Sequence, residues 1–294
     1  MKKALSIACA VLLAVTGCRD NPAPKVMARE VPERADDFVF ENNLIAGRFY
    51  GKALEGDPTS PGLDVWVKLP GRLVADDWYA GAMKDGSYYH HDHGGKDCYK
   101  VAVSLGGGAS VPYLYNRLCW PATNYRSSTV LEKSDDRIVF VLGYPEWEAS
   151  EGINVSLEKK VTVEADSYFI KVEDTYVFTG TDSLTVAAGF KLHGDQSTVV
   201  DRLDSPGRLA IWEKASDQSV EPEDGLIGVA IVMPDSESHL FSKELDHALI
   251  LKDIISGQTI SYMVGSCWSK AEIKDSETWF GMIKAVSRKS RSDG

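Results

Sequence analysis

The chain has 294 residues, with 43 acidic and 32 basic side chains and a formal net charge of −11. A surface this acidic argues against a nucleic-acid partner, because phosphate backbones are bound by basic faces. With 44% hydrophobic residues, a chain of this length can bury a sizeable core in one large domain.

Residues 1–17 have the features of a lipoprotein signal peptide. Two lysines precede an apolar run from Ala4 to Val15, which is shorter than the roughly 20 residues that span a bilayer. The run ends in the tetrapeptide Val-Thr-Gly-Cys, whose cysteine is Cys18. We expect cleavage before Cys18, a lipid on its thiol and a polar tether over residues 18–30. The predicted location is a Gram-negative-type envelope, on the periplasmic face or the cell surface of the outer membrane.

Three further cysteines remain, at Cys98, Cys119 and Cys267. Because their number is odd, at most one disulfide can form among them in an oxidising compartment. None belongs to a Cys-x-x-Cys pair, so a zinc ribbon is not expected, and we predict neither a bound metal nor another cofactor. Each cysteine is expected to act as a small buried hydrophobe.

Apolar and polar residues alternate through most of the body, and turn-rich segments separate these stretches. A period of two over many short stretches predicts a mainly β, antiparallel sandwich or barrel. The stretches are Leu63–Leu69, Tyr99–Leu105, Arg137–Tyr144, Asn154–Val163, Tyr168–Phe178, Leu184–Phe190, Leu226–Met233, His247–Ile255 and Thr259–Val264.

One helix is predicted, at the C-terminal end, where Trp279, Met282, Ile283 and Val286 recur at helical spacing. No internal repeat or low-complexity stretch divides the body. Residues 31–294 are therefore predicted to form a single β-sandwich domain.

The segment from Tyr88 to Lys100 contains three of the six histidines within four positions, together with two aspartates. Histidines that titrate near neutrality, oriented by acids, suit general acid–base catalysis, with His90 or His93 as base and Tyr89 as proton donor. A metal site using the His-x-His pair, or a polar loop at a sheet edge, would explain the same residues.

Several isolated residues are further candidates for a site. Arg48 is a candidate carboxylate clamp, because a guanidinium fork matches a carboxylate. Glu213 is a candidate catalytic carboxylate, and His193 follows a predicted strand. Exposed tryptophan faces stack on sugar rings, although most tryptophans in a sandwich are core residues.

Short strings along most of the mature chain together resemble the bacterial family called domain of unknown function 4861. The strings are Val31–Phe38, Glu41-Asn42, Arg48-x-Tyr50-Gly51, Asp64–Lys68, Trp78-Tyr79, Tyr89-His90-x-Asp92-His93-Gly94, Asp97-x-Tyr99-Lys100-Val101, Ser104-Leu105-Gly106, Trp212-Glu213 and Tyr262-x-x-Gly265-x-x-Trp268. The resemblance implies a galactose-mutarotase-type β-supersandwich. It also implies export, in company with enzymes that degrade pectin-like and other uronate-containing polysaccharides.

These features favour an enzyme that acts on an acidic oligosaccharide or polysaccharide by β-elimination. Arg48 or Lys100 would neutralise the uronate carboxylate, while Asp97, His193 and Trp268 would contact the substrate. A sugar mutarotase or epimerase, with Glu213 as base and a histidine as acid, uses the same residue types. Glycosidic hydrolysis by two carboxylates and glycan binding without turnover also remain open.

Overall fold

The computed structural model describes residues 23–54, 61–194, 199–201, 207–214, 224–234, 238–242 and 245–289. Strands are numbered here in chain order, and every pairing between numbered strands is antiparallel. The first sheet has the order β1 (Val26–Val31), β2 (Asp37–Asn42), β3 (Ala46–Phe49), β4 (Asp64–Lys68) and β5 (Gly95–Asp97).

The large sheet has eight strands, and a third sheet has five. The large sheet runs in the order β13 (Val199–Asp201), β14 (Arg208–Lys214), β15 (Leu226–Val232), β18 (Thr259–Trp268), β11 (Phe169–Thr179), β10 (Ile153–Glu164), β9 (Arg137–Ser150) and β8 (Ser127–Lys133). The third runs β16 (Ser238–Ser242), β17 (His247–Ile254), β12 (Leu184–Lys191), β6 (Ala109–Leu114) and β7 (Arg117–Leu118). This architecture confirms the predicted mainly β, antiparallel fold.

The first sheet buries both faces, and alternation along its strands separates two kinds of side chain. On one face Phe38 and Phe40 of β2 pack against Phe140 of β9 in the main hydrophobic core. On the other face Trp66 packs against helix α1 (Ala75–Ala82). This second face carries the charged residues Asp37, Glu41, Arg48, Asp64, Lys68 and Asp97.

A buried polar network lies in the interior of the large sheet. The Lys159 ammonium contacts both carboxylate oxygens of Asp174 at 2.8 Å, and Tyr262 donates to the same carboxylate at 2.7 Å. Ser110 on β6 also donates to Asp174 and contacts the Tyr176 hydroxyl. All these side chains are buried, so the network specifies how the third sheet sits on the large one.

Replacing Lys159 with Met is expected to lower the free energy of unfolding by about 3–5 kcal/mol, because Asp174 then stays buried without its cation. Lys160 is the matched control. It lies on the opposite face, where its ammonium pairs with Glu173 while 40% of its side chain is exposed, and Lys160→Met should cost under about 1 kcal/mol. Urea unfolding at pH 7 measures both, and equal losses would contradict the prediction.

The predicted C-terminal helix is confirmed as α2 (Ser276–Lys289), whose Trp279 ring stacks on Phe169 at 5.6 Å. Helix α1 was not predicted. The predicted strand Tyr99–Leu105 is wrong, because Ala102 has a φ of 49° and the segment is irregular. Strand β1 begins at Val26, inside the predicted tether 18–30, so the folded domain starts earlier than residue 31.

The cysteines Cys98, Cys119 and Cys267 are all free thiols. Cys98 and Cys267 are buried, as expected, whereas Cys119 is half-buried. No helix within the described residues combines the length and apolar character needed to cross a bilayer. Cys18 and the predicted signal peptide lie outside the described residues.

Candidate functional site

Arg48 lies at the centre of a cluster of acidic side chains on the α1 face of the first sheet. The register places Arg48 on β3 directly opposite Asp64 on β4. The Arg48 guanidinium donates from Nε to Asp64 at 2.7 Å and from Nη2 to Asp97 at 3.0 Å. Its Nη1 lies 3.6 Å from Asp37. The arginine is 3% exposed, so one buried cation serves three carboxylates.

Aromatic rings surround the Arg48 guanidinium. Its central carbon lies 5.1 Å from the ring centres of Trp66 and Tyr89 and 5.7 Å from that of Tyr50. Cation–π attraction and the exclusion of water both strengthen the charge interactions at this point. The Arg48 guanidinium, its carboxylate partners and these rings together form one buried layer, which we call the floor of the site.

A cavity of about 330 Å³ opens above this floor, and we call it the Arg48 pocket. Four of its lining residues have a buried polar atom without a hydrogen-bond partner among the described residues: Arg34 Nη1, Arg48 Nη1, Asp97 Oδ1 and Asn124 Oδ1. Buried polar groups are normally satisfied. The two arginine nitrogens lie 3.4 and 3.6 Å from the Asp37 carboxylate, too far for good hydrogen bonds. A cavity lined by four residues with unsatisfied polar atoms is therefore a candidate binding site. The remaining lining residues are Tyr50, Leu54, Tyr89, His90, Ala102 and Val103.

A strained turn builds one wall of the Arg48 pocket. Ala35 and Asp36 have φ values of 55° and 53°. The turn that contains them is closed by a hydrogen bond from the Asp37 N–H to the Arg34 carbonyl oxygen at 3.2 Å. Two consecutive non-glycine residues in the left-handed region are unfavourable unless other contacts impose them. Here Tyr125 donates a hydrogen bond to the Asp36 carbonyl at 2.5 Å. The turn holds Arg34 and Asp37 side by side.

Gly51, which follows β3, allows the main chain to approach the turn at Ala35 and Asp36. A Cβ at this position would lie 1.8 Å from the Asp36 carbonyl oxygen, so no other residue fits without moving the backbone. The Gly51 N–H donates to Asp37 at 3.2 Å, and Asn124 donates to the Gly51 carbonyl at 2.8 Å. These bonds fix the Asp37 carboxylate and the Asn124 amide at the pocket.

Burial shifts the proton equilibria of the acids in this cluster. Burial is the main cause that raises the pKa of Asp37 to about 6, although Arg48 and Arg34 oppose it. Burial, followed by the charge of Asp64, holds the pKa of Asp97 well above its usual range, with Arg48 opposing. Burial and the repulsion among the acids therefore favour a proton on this cluster more strongly than Arg48 and Arg34 oppose it. A retained proton is what a general acid needs.

Asp37→Asn is expected to stabilise the protein increasingly as pH rises. An acid whose pKa is raised on folding contributes stability below its unfolded pKa of about 4, and loses it as pH rises through the folded value. Because Asn mimics the protonated acid, the stability gained over wild type should grow by about 2–3 kcal/mol between pH 4 and pH 8. Urea unfolding at both pH values tests this, and a constant difference would contradict it.

A second titratable pair lies behind the pocket. His193 Nδ1 contacts Glu213 at 2.6 Å, and His193 Nε2 contacts the Lys100 carbonyl oxygen at 2.7 Å. The two side chains are 5% and 1% exposed. Burial lowers the pKa of His193, but the hydrogen bond and charge of Glu213 outweigh this effect, and the net pKa is raised.

The structure brings four of the predicted site residues, Arg48, Tyr89, His90 and Asp97, together at the Arg48 pocket. His90 is half-buried and its Nδ1 lies 3.2 Å from the Asp97 carbonyl oxygen. The predicted role of Arg48 as a bidentate clamp is corrected. Its Nε and Nη2 bind Asp64 and Asp97, and its Nη1 lies 3.6 Å from Asp37, so all three nitrogens face carboxylates of the protein itself.

The other predicted site residues lie elsewhere. His93 stacks on Tyr88 at 3.8 Å instead of facing the Arg48 pocket. Trp268 is 2% exposed and donates to the Asp224 carbonyl at 2.6 Å, so it is a core residue and presents no ring face to a sugar. Glu213 and His193 bind each other. Lys100 contributes its carbonyl to that pair and does not line the pocket.

Sequence reasoning missed five residues of the site, Arg34, Asp37, Tyr50, Asp64 and Asn124. Four of them occur in the strings that carry the family resemblance, and alternation along β2 already placed Asp37 on the face opposite Phe38. What the sequence lacked was the pairing of β3 with both β2 and β4. Among the described residues, no three His, Cys, Asp or Glu side chains are grouped as metal ligands would be.

The chain belongs to the family described as domain of unknown function 4861, whose sequence model matches residues 17–293. It is 30% identical over 277 residues to "Uncharacterized protein P7" of Formosa agariphila, an alignment that covers 89% of this chain and 67% of that relative. The family resemblance read from the sequence is therefore confirmed.

Three solved structures show distant likeness in fold. A galactose mutarotase-like protein from Clostridium acetobutylicum is 9% identical, with 84% of this chain and 98% of that chain covered and a TM-score of 0.35. The galactosidase domain of alpha-galactosidase-sucrose kinase is 10% identical, with 82% and 42% covered and a TM-score of 0.37. Heparinase III is 10% identical, with 84% and 35% covered and a TM-score of 0.34. Likeness at these TM-scores carries no argument about the site.

Proposed function

We propose that the Arg48 pocket binds a sugar unit of an oligosaccharide and that the chain acts on it by acid–base chemistry. One observation carries this proposal: four residues that line the Arg48 pocket, Arg34, Arg48, Asp97 and Asn124, each have a buried polar atom without a hydrogen bond among the described residues. Sugar hydroxyls both donate and accept, so adjacent hydroxyls match such an arrangement. The half-buried Tyr50 ring at the pocket offers apolar surface to the face of a sugar ring.

The reaction proposed is β-elimination at a uronate unit. The Nη1 of Arg34 or Arg48, which without substrate lies near Asp37, binds the substrate carboxylate and stabilises the negative charge that develops there. His90 removes the proton from C5, and the C5–H electron pair forms the C4–C5 double bond as the C4–O bond breaks. The leaving oxygen takes a proton from Asp97 or Tyr89. The products are a shortened chain and an unsaturated uronate.

The raised pKa of Asp97 supports its assignment as the acid in this scheme. The mutarotase alternative has less support, because Glu213 and both ring nitrogens of His193 are engaged with partners instead of facing a cavity. Hydrolysis by two carboxylates would use the same pocket with water as the nucleophile. It would yield products without a new double bond.

The test is incubation of the purified protein with uronate oligosaccharides and their neutral counterparts. Absorbance of the unsaturated product and product masses are followed together. Chain cleavage with new absorbance, lost in His90→Gln and kept in the matched exposed variant His91→Gln, supports the proposal. Cleavage without absorbance rejects elimination in favour of hydrolysis. Saturable binding without any product rejects turnover and leaves a glycan-binding protein.

We also propose that the chain is exported and anchored to a membrane through lipid on Cys18, with the sugar-binding domain beyond the tether. Support comes from the sequence of residues 1–18 alone. Expression of Cys18→Ala in a Gram-negative host, followed by fractionation, tests the anchor. Release of the variant from the membrane fraction is expected, and equal membrane retention of both forms would reject it.

A further inference from the structure

His193 has a hydrogen-bond arrangement that requires a positive charge. Its Nδ1 faces the Glu213 carboxylate and its Nε2 faces the Lys100 carbonyl. A carbonyl oxygen only accepts, and an ionised carboxylate only accepts. Both ring nitrogens must therefore donate, which is possible only for the imidazolium when Glu213 is ionised. The pair is a buried ion pair with an additional hydrogen bond to the main chain.

The carbonyl that His193 holds belongs to the segment that lines the Arg48 pocket. We call residues 97–103 the rim segment, since it contributes Asp97, Ala102 and Val103 to the pocket lining. The segment is irregular, and Ala102 has a φ of 49°. A non-glycine residue in this conformation persists only where surrounding contacts impose it.

Besides His193, contacts of the Tyr99 side chain hold the rim segment. The Tyr99 ring meets the His193 ring edge-on at 4.8 Å. The Tyr99 hydroxyl donates to the carbonyls of Gly106 at 3.3 Å and Lys191 at 3.2 Å. The bond from His193 to Lys100 is shorter than either, and it is charge-assisted.

We infer that the His193–Glu213 pair is a charged latch that holds residues 98–103 of the rim segment in position for the proposed reaction, next to Asp97 at the end of β5. His193 and Glu213 are thus positioning residues and not the acid and base of a mutarotase. The catalytic consequence rests on the proposed function, whereas the structural consequence does not. Loss of the proton from His193 leaves one nitrogen lone pair facing a carbonyl or carboxylate, and the latch opens.

The groups around His193 set the pH at which the latch opens. Glu213 on β14 favours the imidazolium, whereas Lys191 on β12 disfavours it. His247 on β17 is also close enough to sense the charge of His193, and its own pKa is lowered, chiefly by burial. Tyr99, with a pKa raised well above its usual value mainly by burial, stays neutral. Only Glu213 among these supplies a negative charge.

Cys98 gives a measurement that needs no substrate. Its thiol is fully buried within the rim segment, and Cys267 is a buried thiol on β18 that serves as an internal control. Maleimide labelling of the full chain, resolved by peptide mass spectrometry, gives the ratio of the two rates. His193→Gln and Glu213→Gln should each raise the Cys98 to Cys267 ratio by about tenfold or more, as expected for loss of a charged hydrogen bond.

The double variant should raise the ratio no further than either single variant, because both remove one interaction. In wild type, raising the pH from 6 to 9 should raise the same ratio, and this measurement remains valid if a variant fails to fold. An unchanged ratio in the variants, or equal acceleration of both thiols, would overturn the latch. If a substrate has been found, His193→Gln should also lower kcat more than it raises KM. An altered labelling ratio without any turnover would keep the latch and reject the proposed function.

Discussion

Arg48→Gln is expected to lower the free energy of unfolding by about 3–5 kcal/mol at pH 7, because it leaves the buried carboxylates of Asp64 and Asp97 without their cation. Asp37 keeps only its ion pair with Arg34 at 3.4 Å. Asp37, Asp64 and Asp97 are all 1% exposed or less, so water cannot replace the lost guanidinium. The neutral amide of Gln can bond one of the carboxylates and balances no charge. Urea unfolding monitored by tryptophan fluorescence measures the loss.

The pH dependence of Arg48→Gln has a defined sign. Without the cation, the pKa of each remaining acid rises further above its unfolded value. The stability of the variant is therefore greatest below the unfolded pKa of about 4 and falls as pH rises. The difference from wild type should shrink on acidification, and a difference that grows instead would contradict the charge argument.

Arg29→Gln is the matched control for Arg48→Gln. Arg29 also pairs with two carboxylates, those of Glu33 and Asp76, but its side chain is 34% exposed. Such pairs are screened by solvent and contribute at most about 1 kcal/mol. Equal losses of stability in the two variants would contradict the prediction that burial increases the contribution of the Arg48 cluster to stability.

The sequence predicts the fold class because alternation along a strand is a local property. Val155 and Leu157 mark the core face of β10, and the spacing of Trp279 and Ile283 marks α2. The segment Tyr99–Leu105 alternates equally well but is irregular, because tertiary contacts impose a positive φ on Ala102. Local pattern cannot reveal such an imposed conformation.

The site was only half predictable for a related reason. Tyr89, His90 and Asp97 lie close in sequence, and the density of polar residues there identified them. Arg34 and Asp37 come from a distant turn, and only the pairing of β2 with β3 and of β3 with β4 brings them to Arg48. Trp268 was assigned to substrate by residue type, but burial decides the role of a tryptophan and no local pattern encodes it.

The acid cluster, the strained turn at Ala35 and Asp36 and the positive φ of Ala102 meet at one cavity. Each costs folding free energy, and none is needed to close the hydrophobic core. Strain and uncompensated polar groups persist in folded proteins mainly where they serve a site. The predicted gain in stability of Asp37→Asn at high pH has the same basis, because the substitution removes a buried charge that costs folding free energy.

Asp97→Asn is expected to lower kcat by about 100- to 10,000-fold while changing KM little, the range seen when a general acid is removed. The amide oxygen of Asn can still accept the hydrogen bond that Arg48 Nη2 gives to Asp97 at 3.0 Å, so the shape of the pocket is kept. What the variant lacks is the transferable proton, which the raised pKa of Asp97 favours.

Asp253→Asn is the control for Asp97→Asn, since Asp253 is an exposed carboxylate on β17 that accepts from Thr185 and lies outside the pocket. It should leave kcat and KM unchanged. If the proposed reaction takes place, the wild-type protein should lose activity as pH rises through the pKa of Asp97, and residual activity of Asp97→Asn should lack that alkaline limb. A variant that raised KM alone would make Asp97 a binding residue, and the acid would then have to be sought at Tyr89.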